Sequence, residues 1–285
     1  MRITGAALAA LIALTGAVGC TERDSAVTGD RLAVTAAFYP LAFVTERVGG
    51  ERVSVDTLAK PGVEPHDVEL TPQQTAALES VDLVVYLRGF QPALDDAVGA
   101  GNSLNVAAVE PLADADPHVW LDPTRLAEIA GAVADRLAVI DPEGAASFAQ
   151  RAAGLTADLE ALDAAFTAGL KTCRLRQFVT SHDAFGYLAS RYLLEQVGIS
   201  GLDPEADPSP ARLRAVAKFV REKGVGTIFF ETLLSPKVAR TIAAETGADT
   251  AVLDPVESVA NGSADDYLVV MRRNLDALRT ALGCT

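Results

Sequence analysis

The sequence predicts an α/β protein of two lobes, each built on a parallel-rich sheet flanked by helices, with one long, rigid linker helix between them. Three observations predict it. Short apolar runs alternate with helical segments from Arg31 to about residue 107, the pattern of parallel α/β architecture. The period then becomes helical through residues 123–171, and the alternation afterwards resumes to the end without detectable sequence repetition. Finally, the chain of 285 residues is 49% hydrophobic and 22% charged, enough apolar material for two lobes with real cores.

The first twenty residues are read as a targeting segment. Arg2 gives a positive start, an apolar stretch over 6–14 follows, and the small residues Gly16, Ala17 and Gly19 lead to Cys20. The apolar stretch is shorter than the ~20 residues of a bilayer-spanning helix. Ala17-Val18-Gly19-Cys20 resembles a bacterial lipobox with Ala17 in the position usually held by Leu, which makes Cys20 the expected lipidation site; a plain secretory signal is the other reading. Residues 21–30 are polar and read as a tether, so membrane contact is expected through the lipid anchor alone.

The N-terminal lobe is assigned to residues 31–141. Strands are predicted at 32–35, 53–58, 82–87 and 104–107, and helices at 41–49, 71–79 and 92–98. Thr71-Pro72 and Asp122-Pro123 each place a capping side chain before a proline in the first helical turn. The linker is assigned to 142–171, where Phe148, Leu155, Leu159, Leu162 and Phe166 recur on one helical stripe. Its ~29 helical residues would span roughly 43 Å.

The C-terminal lobe, 172–285, carries predicted strands at 177–180, 195–199, 227–230 and 250–253. Helices are expected at 184–193, 209–223, 235–246 and 264–282. With Cys20 lipidated, Cys173 and Cys284 remain as a disulfide pair for an oxidising compartment, or as two free thiols.

A net charge of −14 excludes a nucleic-acid partner, because phosphate binding needs clustered Lys and Arg. No glycine-rich phosphate cradle, Gly-x-Ser-x-Gly elbow or His-Glu-x-x-His segment occurs in the sequence. The three histidines, in contrast, all follow predicted strands: His66 in Glu-Pro-His-Asp, His118 in Asp-Pro-His-Val-Trp, and His182 in Ser-His-Asp. Ligands of open parallel sheets bind beyond the carboxyl ends of the strands, so the three imidazoles are expected to converge on one metal in the interlobe cleft. Three imidazoles and one carboxylate make a set suited to Zn²⁺, whereas Mn²⁺ favours more oxygen donors. Asp254, directly after a strand, is the expected fourth ligand. Glu231, Asp122 and Asp67 are expected to orient imidazoles, and Trp120 to anchor packing.

Four segments in order then carry a family resemblance: Glu-Pro-His-Asp at 64–67, Asp-Pro-His-Val-Trp-Leu-Asp-Pro at 116–123, Ser-His-Asp-Ala-Phe-Gly-Tyr at 181–187, and Val-Leu-Asp-Pro at 252–255. Over roughly residues 31–283 the chain resembles the zinc-uptake substrate-binding proteins of bacterial ABC importers. The resemblance implies two α/β lobes bridged by a long helix, with His66, His118, His182 and a carboxylate at Asp254 holding the metal. Manganese-preferring relatives place Glu where His182 stands, so the chain is similar to the zinc branch. The His-rich acidic loop of many zinc-branch members is missing from the short 110–116 segment.

The implied function is not enzymatic: extracytoplasmic capture of Zn²⁺ by a monomer and its delivery to an ABC permease with its ATPase. The competing readings are a surface adhesin on the same fold, and a zinc hydrolase, which would need an open coordination position.

Overall fold

The computed structural model describes residues 31–260 and 263–285. The targeting segment, Cys20 and the tether lie outside the described residues.

Two four-stranded sheets organise the chain, and every strand pairing in them is parallel. The first holds β1 (Leu32–Ala36), β2 (Val53–Thr57), β3 (Leu83–Tyr86) and β4 (Ser103–Asn105), in the spatial order β2-β1-β3-β4. The second holds β5 (Gln177–Thr180), β6 (Glu195–Gly198), β7 (Thr227–Phe230) and β8 (Asp249–Val252), in the equivalent order β6-β5-β7-β8. The two halves therefore share a topology that their sequences do not advertise.

Helices α1 (Tyr39–Gly49), α2 (Pro72–Ser80) and α3 (Pro92–Ala97) connect the first set of strands. In α2 the expected cap is a full capping box: Thr71 Oγ1 accepts from Gln74 N, while Gln74 Oε1 accepts from Thr71 N. The fourth strand is shorter than predicted. The Asn105 side chain accepts from Ala107 N and turns residues 106–108 into a 3-10 turn.

Helix α4 (Pro123–Ile140) lies against α5 (Ala145–Gly169), the long helix. The predicted 142–171 helix is trimmed at both ends. Asp141 Oδ1 accepts from Gly144 N and holds residues 142–144 as a 3-10 turn, and α5 closes at Gly169. Its stripe is as expected, with Phe148, Leu155, Leu159, Leu162 and Phe166 all at 1% exposure or less. The stripe is covered by α1, α4 and, in the second half, α9.

The second half adds α6 (Gly186–Arg191), α7 (Pro210–Lys223), α8 (Lys237–Thr246) and α9 (Tyr267–Leu282). Gly224 and Gly247, at φ 66° and 77°, end α7 and α8 in the left-handed conformation that glycine adopts without a Cβ clash. The predicted α9 loses its first turn because Asp266 accepts from Val269 N and fixes the cap there. Among the described residues no helix is long and apolar enough to cross a membrane.

The strands of the second sheet divide their side chains by the two-residue period. Phe178 and Phe229 face a large core, while Val179 and Ile228 face a smaller one under α7 and α8. The large core runs without interruption from Val34 in β1, through α4 and α5, to Leu282 at the end of α9. Trp120 lies within it at 1% exposure, edge-on to Phe38 at 4.9 Å between centroids. Two buried hydrogen bonds tie Trp120 to the second half: its Nε1 donates to Pro255 O at 2.7 Å, and its carbonyl accepts from Tyr267 Oη at 2.6 Å. The expected packing anchor is therefore also a joint between the halves.

Cys173, just beyond α5, and Cys284, just beyond α9, are joined by a disulfide. The bond ties the far end of the linker to the far end of the chain.

Candidate metal centre

Four side chains present one donor atom each within 4.8 Å of one another: His66, His118, His182 and Glu257. They arrive from four different strand ends. His66 sits in the loop after β2, and His118 in the connection between β4 and α4. His182 follows β5 directly, and Glu257 follows β8. The predicted convergence of the three imidazoles is thus realised geometrically, on the side of both sheets where the strands end.

The carboxylate beside them is Glu257, not Asp254. Asp254 Oδ1 accepts from Val256 N at 2.8 Å, and its Oδ2 lies 3.3 Å from the Thr232 hydroxyl, which donates to it. The chain then turns at Val256, whose φ of 59° is strained for a β-branched residue. That turn carries Glu257 inward. Pro255 O accepts from Trp120 Nε1, and the backbone of Asp254 is held by Asn274 of α9. Asp254 therefore shapes the loop that presents the carboxylate. Its carboxyl is pushed up by burial and by the charges of Glu257 and Glu231, against the hydrogen bonds from Val256 and Thr232.

The ring orientations follow from outer partners. His118 Nδ1 donates to Asp116 Oδ1 at 2.7 Å, and His182 Nδ1 donates to Glu231 Oε1 at 2.6 Å. Each bond fixes the tautomer and leaves Nε2 free to face the centre. Of the three acidic residues expected behind imidazoles, Glu231 is the one in contact with a ring, that of His182. The other two expected partners lie elsewhere. Asp122 accepts from Thr124 N and Thr124 Oγ1 as the cap of α4. Asp67 is exposed in its loop. The partner of His118 that sequence reasoning missed is Asp116, two residues before the ring it supports. Gly186 makes room for that carboxylate, since a Cβ there would come within 2.6 Å of Asp116 Oδ2.

The donor separations match a small tetrahedral ion. Glu257 Oε1 lies 3.2 Å from His118 Nε2, 3.5 Å from His66 Nε2 and 3.8 Å from His182 Nε2. The two buried imidazoles meet Nε2 to Nε2 at 3.3 Å. Donors arranged tetrahedrally about Zn²⁺, with bonds of about 2.0–2.1 Å, stand roughly 3.3 Å apart.

Charge satisfaction points the same way. Glu257 Oε1 and Oε2 and His66 Nε2 are buried without a hydrogen-bond partner. A buried carboxylate without hydrogen bonds depends on positive charge close by. A cation at the centre supplies it.

Burial alone would disfavour a charged His118, yet its hydrogen bond to Asp116 and the Glu257 carboxylate 3.2 Å away push its pKa up to about 9. Burial likewise opposes ionised Glu257, but the imidazoles of His118 and His66 beside it hold it well below the carboxylate range. Glu64, whose Oε1 accepts from His66 N, is pushed up to about 8 by burial and by the charge of Glu257. The centre is a closed cluster. Its side chains are 0% exposed at His118, His182 and Glu257, and 13% exposed at His66.

Two matching parallel α/β lobes joined through a long helix, with a histidine-rich cation cluster at their strand ends, define a bilobal solute-binding protein for metal. Comparison with known proteins makes the class specific. The profile of the family described as "ZnuA: Zinc-uptake complex component A periplasmic" matches residues 34–281, and the chain belongs to that family. Its members are extracytoplasmic transport components and not enzymes.

The high-affinity zinc uptake system protein ZnuA of Bacillus subtilis is 32% identical over 96% of both chains. The zinc-binding lipoprotein AdcA of Streptococcus pneumoniae is also 32% identical over 92% of this chain, which spans 58% of that longer protein. Among solved structures, the laminin binding protein Lmb of Streptococcus agalactiae superposes with a TM-score of 0.82 at 34% identity, covering 88% of this chain and 99% of that one. The Zn(II)-bound ZnuA-like domain of S. pneumoniae AdcA gives 0.77 at 33% identity, covering 89% and 99%.

Proposed function

We propose that the protein captures Zn²⁺ outside the cytoplasm and hands it to an ABC-type permease driven by its ATPase. His66, His118, His182 and Glu257 would be the ligands. It acts as a monomer of two lobes (31–141 and 172–285) about the 142–171 linker, held at the membrane by lipid on Cys20. The observation that carries this reading is the set of four converging donors, three of them fully buried, with the carboxylate left without a hydrogen-bond partner. Three neutral imidazoles with one carboxylate favour zinc over manganese, which prefers more oxygen donors. Four protein donors close a tetrahedron and leave no position for an activated water, as expected of cargo binding.

Calorimetry on the His66→Ala, His118→Ala, His182→Ala and Glu257→Ala variants tests the reading. Each is expected to weaken zinc binding by at least about a hundredfold, and near-native affinity in all four would end it. The S. agalactiae relative is described as having adhesin as well as metal transporting activity. For this chain, a laminin pull-down separates adhesion from transport.

A further inference from the structure

We infer that Ser258 is a positioning residue for the metal site, acting on two of its donors at once and setting how fast the ion leaves. This rests on the zinc-capture reading.

His66 sits in a loop, residues 58–71, with no helix or strand of its own until α2 begins. The loop is fastened at its start, where Leu58 N and Ala59 N donate to Ala36 O and Ala37 O, and at its end by the capping box at Thr71. Between those points two side-chain bonds tie it to distant parts of the chain. Gln91 Nε2 donates to Pro65 O at 2.8 Å within the same lobe. Gly62 N donates to Ser258 Oγ at 2.8 Å across 196 residues of sequence. Among the described residues this is the hydrogen bond that fastens the His66 loop to the other lobe.

Ser258 follows Glu257 directly. Its hydroxyl thus locks the His66 loop to the segment that presents Glu257, and those two donors lie 3.5 Å apart. His118 and His182 depend on no such bond, because both rings are fully buried and each is held by a carboxylate behind it. His66, at 13% side-chain exposure, is the donor that can swing. Gly62 adopts φ 80° with open space around it, so its N–H direction is set by backbone conformation and not by packing. Loss of the Ser258 hydroxyl leaves that N–H to water at an exposed position. The fold keeps its core, and the loop loses its tie.

The test is zinc release from the whole chain into excess chelator, followed by stopped flow. Ser258→Ala is expected to release Zn²⁺ about three- to tenfold faster, the range a single hydrogen bond allows, with association changed less than about twofold. Ser258→Thr, which keeps the acceptor, is expected to restore the slow rate. Unfolding of the metal-free Ser258→Ala protein should match the parent. Release at the parental rate from Ser258→Ala overturns the inference while leaving zinc capture intact. So does failure of Ser258→Thr to restore it, or a metal-free protein that unfolds more than about 2 °C lower. Absence of zinc binding by the parent chain overturns the capture reading itself.

Discussion

Asn274, on the last helix, grips the backbone of Asp254 from both sides: its Oδ1 accepts from Asp254 N at 2.9 Å, and its Nδ2 donates to Asp254 O at 2.6 Å. Asn274 is 3% exposed, so both bonds are sheltered from water. Through this pair the C-terminal helix fixes where the strand β8 ends and where the turn to Glu257 begins.

Asp254 and Glu257 should accordingly separate in a zinc titration. Glu257→Gln is expected to lower affinity at least about a hundredfold, as the loss of a ligand. Asp254→Asn keeps a side-chain acceptor for Val256 N and should cost less than about tenfold, below the range of a group that orients a ligand ring. Calorimetry under identical conditions checks the order, and equal losses would contradict it.

Asp116 and Glu231 hold their imidazoles from behind. Asp116→Asn and Glu231→Gln are each expected to weaken zinc binding about 10–100-fold with little change in metal-free unfolding, because the rings stay packed while their basicity falls. Asp122→Asn, which alters the cap of α4 and a contact with Arg125 but no ring of the cluster, should leave zinc affinity at the parental value.

His118 couples binding to protons. With its pKa raised to about 9, the metal-free protein carries a proton there at neutral pH that a cation must displace. Apparent zinc affinity should therefore rise about tenfold per pH unit between pH 7 and 9 and then flatten. Calorimetry at pH 7 in buffers of differing ionisation enthalpy should report about one proton released.

The same shift sets the stability of the metal-free form. A raised folded pKa contributes stability fully present below the unfolded value of 6.5 and lost as pH climbs through about 9. Glu257, depressed in the fold, contributes above its ordinary 4.5 and loses that contribution as pH falls. Glu64, raised in the fold to about 8, subtracts stability as pH climbs above 4.5, so metal-free protein is expected to melt highest near about pH 4.5–5 and progressively lower toward pH 9.

The disulfide should act on stability and not on the site. Cys173 and Cys284 close a segment with a sequence separation of 111, for which chain entropy suggests about 4–5 kcal/mol as an upper estimate. The Cys173→Ser/Cys284→Ser double variant is expected to melt on the order of 10 °C lower while binding zinc within about threefold of the parent.

The three histidines were legible because histidine is scarce here and each follows an apolar run that reads as a strand. The carboxylate was not, because acidic residues number 38 and their identity alone singles out none. Its position also hangs on Val256 at positive φ, a conformation that local propensity disfavours and that Asn274 and Trp120 impose from other helices and turns. Asp116 was hidden for a related reason: both it and Asp122 flank His118, and only the 3-10 turn over 119–121 sends one toward the ring and the other to cap α4. The strands and the α5 stripe were readable from period alone. Their ends shifted wherever a capping side chain such as Asn105, Asp141 or Asp266 cut the element short.

Of the four donors, His66 alone keeps a window to the solvent, and the window has a compass direction. Behind His118 and His182 stand Asp116 and Glu231, whereas His66, in the β2–α2 loop, is 13% exposed, so on the zinc-capture reading an ion is expected to pass beside that loop and the segment after β8. On the same reading, a recipient that accepts the ion directly is expected to land on that flank. Charge reversals there should disturb hand-over in living cells while the isolated protein goes on binding metal normally.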